Sequence, residues 1–181
     1  MRVITATLSR LPTEKHAGQE LSIESHPDAD IRIRAVGPSE LDSLVGMYDR
    51  FTPLGAALGL PPRSADTRRA WIERALAQKV NVAAFSPAGE VVGHCFLAAD
   101  NSGSAELAIF VRQERRRKRV GTALAKAALE RGGAAGLRRV WSITPSDNTA
   151  VLRLQLSCGF HLRTSISFET ELEIDLPVPV R

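Results

Sequence analysis

Apolar and polar positions alternate along this chain with two different periods. Ile31, Ile33 and Ala35 alternate with Arg32 and Arg34, the period of a half-buried strand. From Pro38 and Ser39 the period lengthens. Leu41, Leu44, Val45 and Tyr48 fall at helical spacing, with Glu40 near the positive end. Phe51 to Arg63 carries Pro53, Gly55, Gly59, Pro61 and Pro62 and predicts an irregular loop. Ser64 or Asp66 is then placed to cap a helix whose buried stripe is Ala70, Ile72, Ala75 and Leu76. Val80 to Phe85 and Glu90 to Ala98 flank the turn Pro87-Ala88-Gly89 and predict a hairpin.

Past Asp100 to Gly103, Ser104 to Val111 reads as a further strand. A basic loop leads from it into an alanine-rich helix, Gly121 to about Arg131, which Gly132, Gly133 and Gly136 are expected to end. Arg138 to Thr144 predicts a strand, and Asn148 to Cys158 a short helix stopped by Gly159. In the closing strands, Phe160 to about Leu176, Phe168, Thr170, Leu172 and Ile174 alternate against Glu169, Glu171 and Glu173. The order predicts a mixed α/β domain built on one layered sheet, spanning residues 30–181. Residues 1–29 are polar and weakly patterned, and read as a tail or loosely docked segment.

Composition narrows the class. The chain has 181 residues, of which 44% are apolar and 24% charged, enough for one domain with its own core. Its net charge is +4, yet Arg115 to Arg119 are five consecutive cations, so the remainder is close to neutral. Such local basicity suits a local anion such as phosphate rather than a long nucleic-acid track. Cys95 and Cys158 have no metal-binding or redox spacing and read as packing residues. The first residues lack the apolar run of a signal peptide and no stretch approaches a membrane span, so the expected location is cytoplasmic.

The chemistry concentrates in Ala105 to Leu124, AELAIFVRQERRRKRVGTAL. A strand enters a loop of cations, and a helix begins directly after. The free N–H groups and dipole of a helix start hold pyrophosphate, and neighbouring Arg and Lys add charge. The residues alone reach no further than a phosphorylated ligand or a solvated basic face.

This loop resembles that of the GNAT superfamily of N-acyltransferases, whose signature runs Arg or Gln, two residues, Gly, one residue, then Gly or Ala. Arg116, Arg117, Lys118, Arg119, Val120 and Gly121 occupy it, followed by Thr122, Ala123 and Leu124 of the helix opening. Arg119 stands where the first glycine is expected, and a non-glycine residue there is strained if the loop needs positive φ. About 25 residues on, Asn148 to Phe160, NTAVLRLQLSCGF, is similar to the family's helix that begins with Asn and ends in Gly-Phe. With IRIRAVGPSELDSLVGMYDRFTP and GLRRVWSITPSDN, the resemblance covers about 30 to 165 and is nearest to bacterial protein lysine acetyltransferase domains.

The resemblance implies a central, mostly antiparallel sheet flanked by helices, with acetyl-CoA or another acyl-CoA as co-substrate and no metal. Pantetheine would lie beside Ala108 to Val111, with backbone N–H groups near Phe110 and Val111 meeting oxyanion charge. The implied cofactor residues are Phe110, Val111, Arg116, Arg117, Lys118, Arg119, Val120, Gly121, Thr122 and Asn148. Glu106 is the implied base. It shares a strand face with Ala108 and Phe110, and a carboxylate among apolar neighbours has a raised pKa suited to taking a proton from an ammonium. The bland alternative is a solvated Glu at a strand start. Many family members use a Tyr of the second helix as general acid, but Gln155 aligns there. His94 reads as a satisfied structural histidine.

The expected activity is transfer of acetyl from acetyl-CoA to an amine, either a protein lysine or a small molecule. The alternatives are an acyl-CoA sensor that has lost chemistry, and a nucleic-acid binder using Arg115 to Arg119. The second lacks aromatic residues interleaved with the cations. Neither nucleic acid nor membrane is an expected partner, and the alternating closing strands are where a homodimer would pair.

Overall fold

The computed structural model describes residues 24–25, 31–55, 59–166 and 168–177. Among the described residues, eight strands form one sheet in the order β1-β2-β3-β4-β5-β6-β8-β7, and four α-helices pack on it. The strands are β1 Glu24–Ser25, β2 Arg32–Ala35, β3 Val80–Phe85, β4 Val91–Ala99, β5 Ser104–Val111, β6 Arg139–Pro145, β7 His161–Ile166 and β8 Glu169–Asp175. The helices are α1 Leu41–Asp49, α2 Ala65–Leu76, α3 Val120–Ala134 and α4 Thr149–Ser157. All neighbouring strands are antiparallel except β5 and β6. This is the mixed α/β, mostly antiparallel sheet that the sequence predicted. Of the expected N-terminal tail, Glu24 and Ser25 pair with Ile33 and Arg32; its other residues lie outside those described.

Side-chain alternation gives the sheet two distinct cores. Val82, Val92, Cys95, Leu97, Leu107, Val140 and Leu172 point to the α3 side and meet Leu124, Ala128 and Leu129 of that helix. The other face carries Ala83, Phe85, Phe96 and Phe110 against Leu44, Met47 and Tyr48 of α1 and Ile72 of α2. Arg68 was absent from the expected α2 stripe. It is buried because its guanidinium donates to the Pro62 and Arg63 carbonyls at 2.9 and 2.8 Å and pairs with Asp49.

The expected helix end at Gly132 and Gly133 is corrected: both lie inside α3, and the chain leaves the helix at Gly136, with φ +85°. A Cβ at Gly132 would stand 2.7 Å from Leu97 Cδ1, so the glycine serves the close approach of helix to sheet rather than termination. Of the expected closing stripe, Thr170 and Leu172 are buried, whereas Phe168 is 76% exposed in the turn between β7 and β8.

Candidate active site

The parallel pairing of β5 with β6 covers only Ser104↔Arg139, Ala105↔Val140 and Glu106↔Trp141. Beyond Glu106 the two strands part, and β5 runs on to Val111 paired with β4 alone. Arg112 N–H bonds the Val92 carbonyl and Asp100 N–H the Ser104 carbonyl, which sets the parity of the β4–β5 ladder. Even-numbered residues of β5 therefore exchange backbone bonds with β4. Of the odd-numbered residues, which face away from β4, Leu107 flanks the last β5–β6 pair, the Val111 carbonyl accepts from Arg116 Nε, and Ile109 faces the gap. Phe110, paired with His94, commits its backbone to the ladder and offers its ring to the α1–α2 face.

Glu106 stands at the apex of this gap, between Ala98 and Trp141 in register across three strands. It is partly buried, and among the described residues its carboxylate has no hydrogen-bond or ion-pair partner. Removal from water therefore raises its pKa above the usual carboxylate range. On the same face the rings of Tyr48, Phe51, Trp71, Phe96 and Phe110 form one cluster, with Trp71 5.4 Å from Phe110 and 5.8 Å from Phe96.

At the far end of β5 the chain enters the basic loop. Arg117 and Arg119 both adopt left-handed backbone, each with φ 59°. The position that the resemblance gives to glycine thus does require positive φ, and an arginine fills it at a strain of about 1–2 kcal/mol. The first hydrogen bond of α3 runs from Ala123 N–H to the Arg119 carbonyl. The N–H groups of Val120, Gly121 and Thr122 consequently point out of the helix start. A Cβ on Gly121 would lie 2.7 Å from Leu154 Cδ1, so this glycine lets α4 pack against that start.

The side chains of the loop differ in what they touch. Arg117, Lys118 and Arg119 are exposed and form no ion pair among the described residues. Arg116 instead donates from Nε to the Val111 carbonyl at 2.9 Å and from Nη2 to the Thr52 carbonyl. Its sequence neighbours gave no sign of this, because Thr52 is distant in the chain.

Asn148 is the cap of α4, its side chain accepting from Val151 N–H at 3.4 Å. Gln155 is fully buried and donates from Nε2 to Ser142 Oγ at 2.6 Å. His94 is buried and neutral, its pKa lowered to about 3 by burial, and bonded on both ring nitrogens as the sequence reading held. Burial pushes both Cys thiols up, which keeps them protonated and unreactive. Among the described residues no group of His, Cys, Asp and Glu could hold a metal ion, and no helix is long and apolar enough to cross a membrane.

Residues 41–160 match the profile of the acetyltransferase (GNAT) family. The chain belongs to that family. It is an N-acetyltransferase by class. The L-methionine sulfoximine/L-methionine sulfone acetyltransferase of Pseudomonas aeruginosa is 28% identical over 137 residues, covering 72% of this chain and 80% of that protein. Among solved structures, the GNAT domain of S. lividans PAT superposes with a TM-score of 0.70 at 19% identity, covering 86% of this chain and 96% of that one. A phosphinothricin acetyltransferase from Sinorhizobium meliloti, in complex with AcCoA, gives a TM-score of 0.68 at 19% identity, over 81% and 89% of the two chains. Likeness at that identity is likeness of fold.

Proposed function

We propose that this GNAT protein transfers acetyl from acetyl-CoA to the primary amine of a small, amino-acid-sized molecule. The observation that carries the reading is the sequence of groups along β5. An unpartnered carboxylate sits at the apex of the gap, unpaired backbone groups line it, and free N–H groups with three exposed cations close its far end. Pyrophosphate would sit on the N–H groups of Val120, Gly121 and Thr122, with Arg117, Lys118 and Arg119 neutralising it. Pantetheine would run along β5 as a mock strand, bonding the Ile109 backbone and the Val111 N–H, beside the Phe110 ring. Asn148 shapes the cap of α4 where that helix meets the α3 start.

The chemistry then needs three things. An ammonium must lose a proton, and Glu106 takes it, directly or through one water. The free amine attacks the thioester carbon, and the carbonyl oxygen gains charge met by backbone N–H groups of β5. Collapse expels the thiolate and the nitrogen sheds its second proton to solvent; solvent also protonates the thiolate, since Gln155 is engaged with Ser142. Acetyl ends on nitrogen and a proton ends on sulfur.

Support for a small acceptor comes from the Pseudomonas relative, whose name specifies L-methionine sulfoximine and L-methionine sulfone. It comes also from Trp71, the partly buried ring of the aromatic cluster on the Glu106 face, which offers an apolar surface to a short side chain. The test is calorimetric titration of acetyl-CoA, followed by assay of thiol release with L-methionine sulfoximine, L-methionine sulfone, a polyamine and a lysine peptide. Release with the two amino acids is the expected result. Release with the lysine peptide alone moves the acceptor to protein. Binding without any release makes the domain a sensor, and absence of binding overturns the cofactor reading.

A further inference from the structure

We propose that Arg116 is a positioning residue that couples the acyl-donor loop to the start of the loop between α1 and α2, beside the β5 face that carries Glu106, so that filling the first orders the second. The inference rests on reading residues 116–122 as the acyl-CoA loop. Arg116 opens that loop, yet its guanidinium is spent elsewhere. Nε donates to the Val111 carbonyl at 2.9 Å, Nη2 donates to the Thr52 carbonyl, and Cζ lies 5.3 Å from the centre of the Phe51 ring. A second bond runs the same way, from Thr52 Oγ1 to Gln113 Oε1 at 3.1 Å. Residues 51 and 52 are thereby tied to residues 111–116 by two hydrogen bonds and one cation–π contact.

The Phe51 ring is buried and stands 5.7 Å from that of Phe110, which shares the Glu106 face of β5. The other end of this loop is fixed independently, by Arg68 on the Pro62 and Arg63 carbonyls. Among the described residues only the Arg116 end reaches the basic loop. A planar guanidinium holds two carbonyls and a ring face in one fixed geometry, which the point charge of an ammonium on a flexible stem does not fix. The adjacent Arg117, Lys118 and Arg119 are exposed and available to an anion, so Arg116 need not leave its carbonyls when pyrophosphate arrives. Ordering of the basic loop then passes to Phe51 and Thr52, and coupling between two such sites is typically about five-fold or more in affinity.

Hydrogen exchange of the full chain, with and without coenzyme A, tests this. In the wild type coenzyme A is expected to slow exchange in residues 116–122 and also at Phe51 to Gly55, where the Gly55 N–H bonds the Pro61 carbonyl. Arg116→Lys keeps the charge and loses the fork. It should bind coenzyme A within about threefold of wild type, keep protection at 116–122 and lose it at Phe51 to Gly55. Gln113→Ala, which removes only the second bond, should reduce the transferred protection partially. If Arg116→Lys weakens coenzyme A more than about tenfold and abolishes both effects, Arg116 is a phosphate ligand and the coupling role is overturned. Protection confined to 116–122 in the wild type overturns the coupling while the cofactor reading stands. No binding of coenzyme A to the wild type overturns the cofactor reading itself.

Discussion

His94 is predicted to make this fold acid-labile through one defined network, and its size follows from the structure. Asn81 donates from Nδ2 to the carbonyls of Ala75 and Gln78 at 3.0 and 2.8 Å, which leaves its Oδ1 as an acceptor. His94 Nε2 lies 3.1 Å from that oxygen and therefore carries the ring proton. Nδ1 then accepts from Tyr48 Oη at 2.8 Å. Every polar atom is satisfied by a neutral ring. A second ring proton would face a hydroxyl already donating to it, at a site where both rings are fully buried. Burial accordingly lowers the His94 pKa from 6.5 to about 3.

The sign follows from linkage. Below pH 6.5 the unfolded chain takes up a proton here that the folded chain refuses, so stability falls as pH falls, down to the folded value near 3. Between pH 7.5 and 5.0 this one group costs about 2 kcal/mol, or roughly 4–8 °C in Tm for a chain of this size. The perturbation is His94→Gln, which keeps polar atoms in the space and removes the titration. At pH 7.5 it should destabilise by about 1–3 kcal/mol through imperfect hydrogen bonds. By pH 5.0 the gap to wild type should close by about 2 kcal/mol. Urea unfolding at half-unit pH steps measures both curves. Parallel curves would refute the argument, because they would mean that His94 titrates alike in the folded and unfolded chain.

Three further outcomes follow from the same contacts. Glu106→Gln should lower kcat by about 10²–10³-fold with acetyl-CoA affinity unchanged in calorimetry, and should raise Tm at neutral pH. The Tm sign is fixed by the raised carboxyl pKa: ionisation of the buried group opposes folding as pH rises through it, and an amide does not ionise. Arg119→Gly relieves the left-handed arginine, so stability should hold or rise by up to about 1 kcal/mol. Coenzyme A affinity should nevertheless drop, with a weaker salt dependence, as one cation is lost. Gly93→Ala should destabilise by about 1–3 kcal/mol in denaturant unfolding, because its Cβ would stand 2.8 Å from Leu124 Cδ1 and 3.2 Å from the Phe110 carbonyl oxygen. Backbone at that distance cannot rotate away as a side chain can.

The sequence by itself determined the elements and the order in which chemistry appears along them. β5 fell at Ser104 to Val111 as its alternation required, because each of its faces meets a separate apolar layer. Asn148 and Gly159 bounded α4 because caps and left-handed stops are local properties of the backbone. The basic loop before α3 was legible for the same reason: a helix start with cations is written in consecutive residues. Gly132 shows where such reading fails. A glycine looks the same in sequence whether it ends a helix or admits a neighbour, and only Leu97 across the core distinguishes the two.

Tertiary structure decided everything that depends on residues far apart in the chain. The parting of β5 from β6 after Glu106 is a matter of register between strands, and it sets the environment of that carboxylate. Gln155 finds Ser142, Tyr48 finds His94, and Arg116 finds Thr52 only once the sheet is assembled. Side-chain type states which bonds a residue can make. Packing alone determines which partner lies within about 3 Å when the chain has folded.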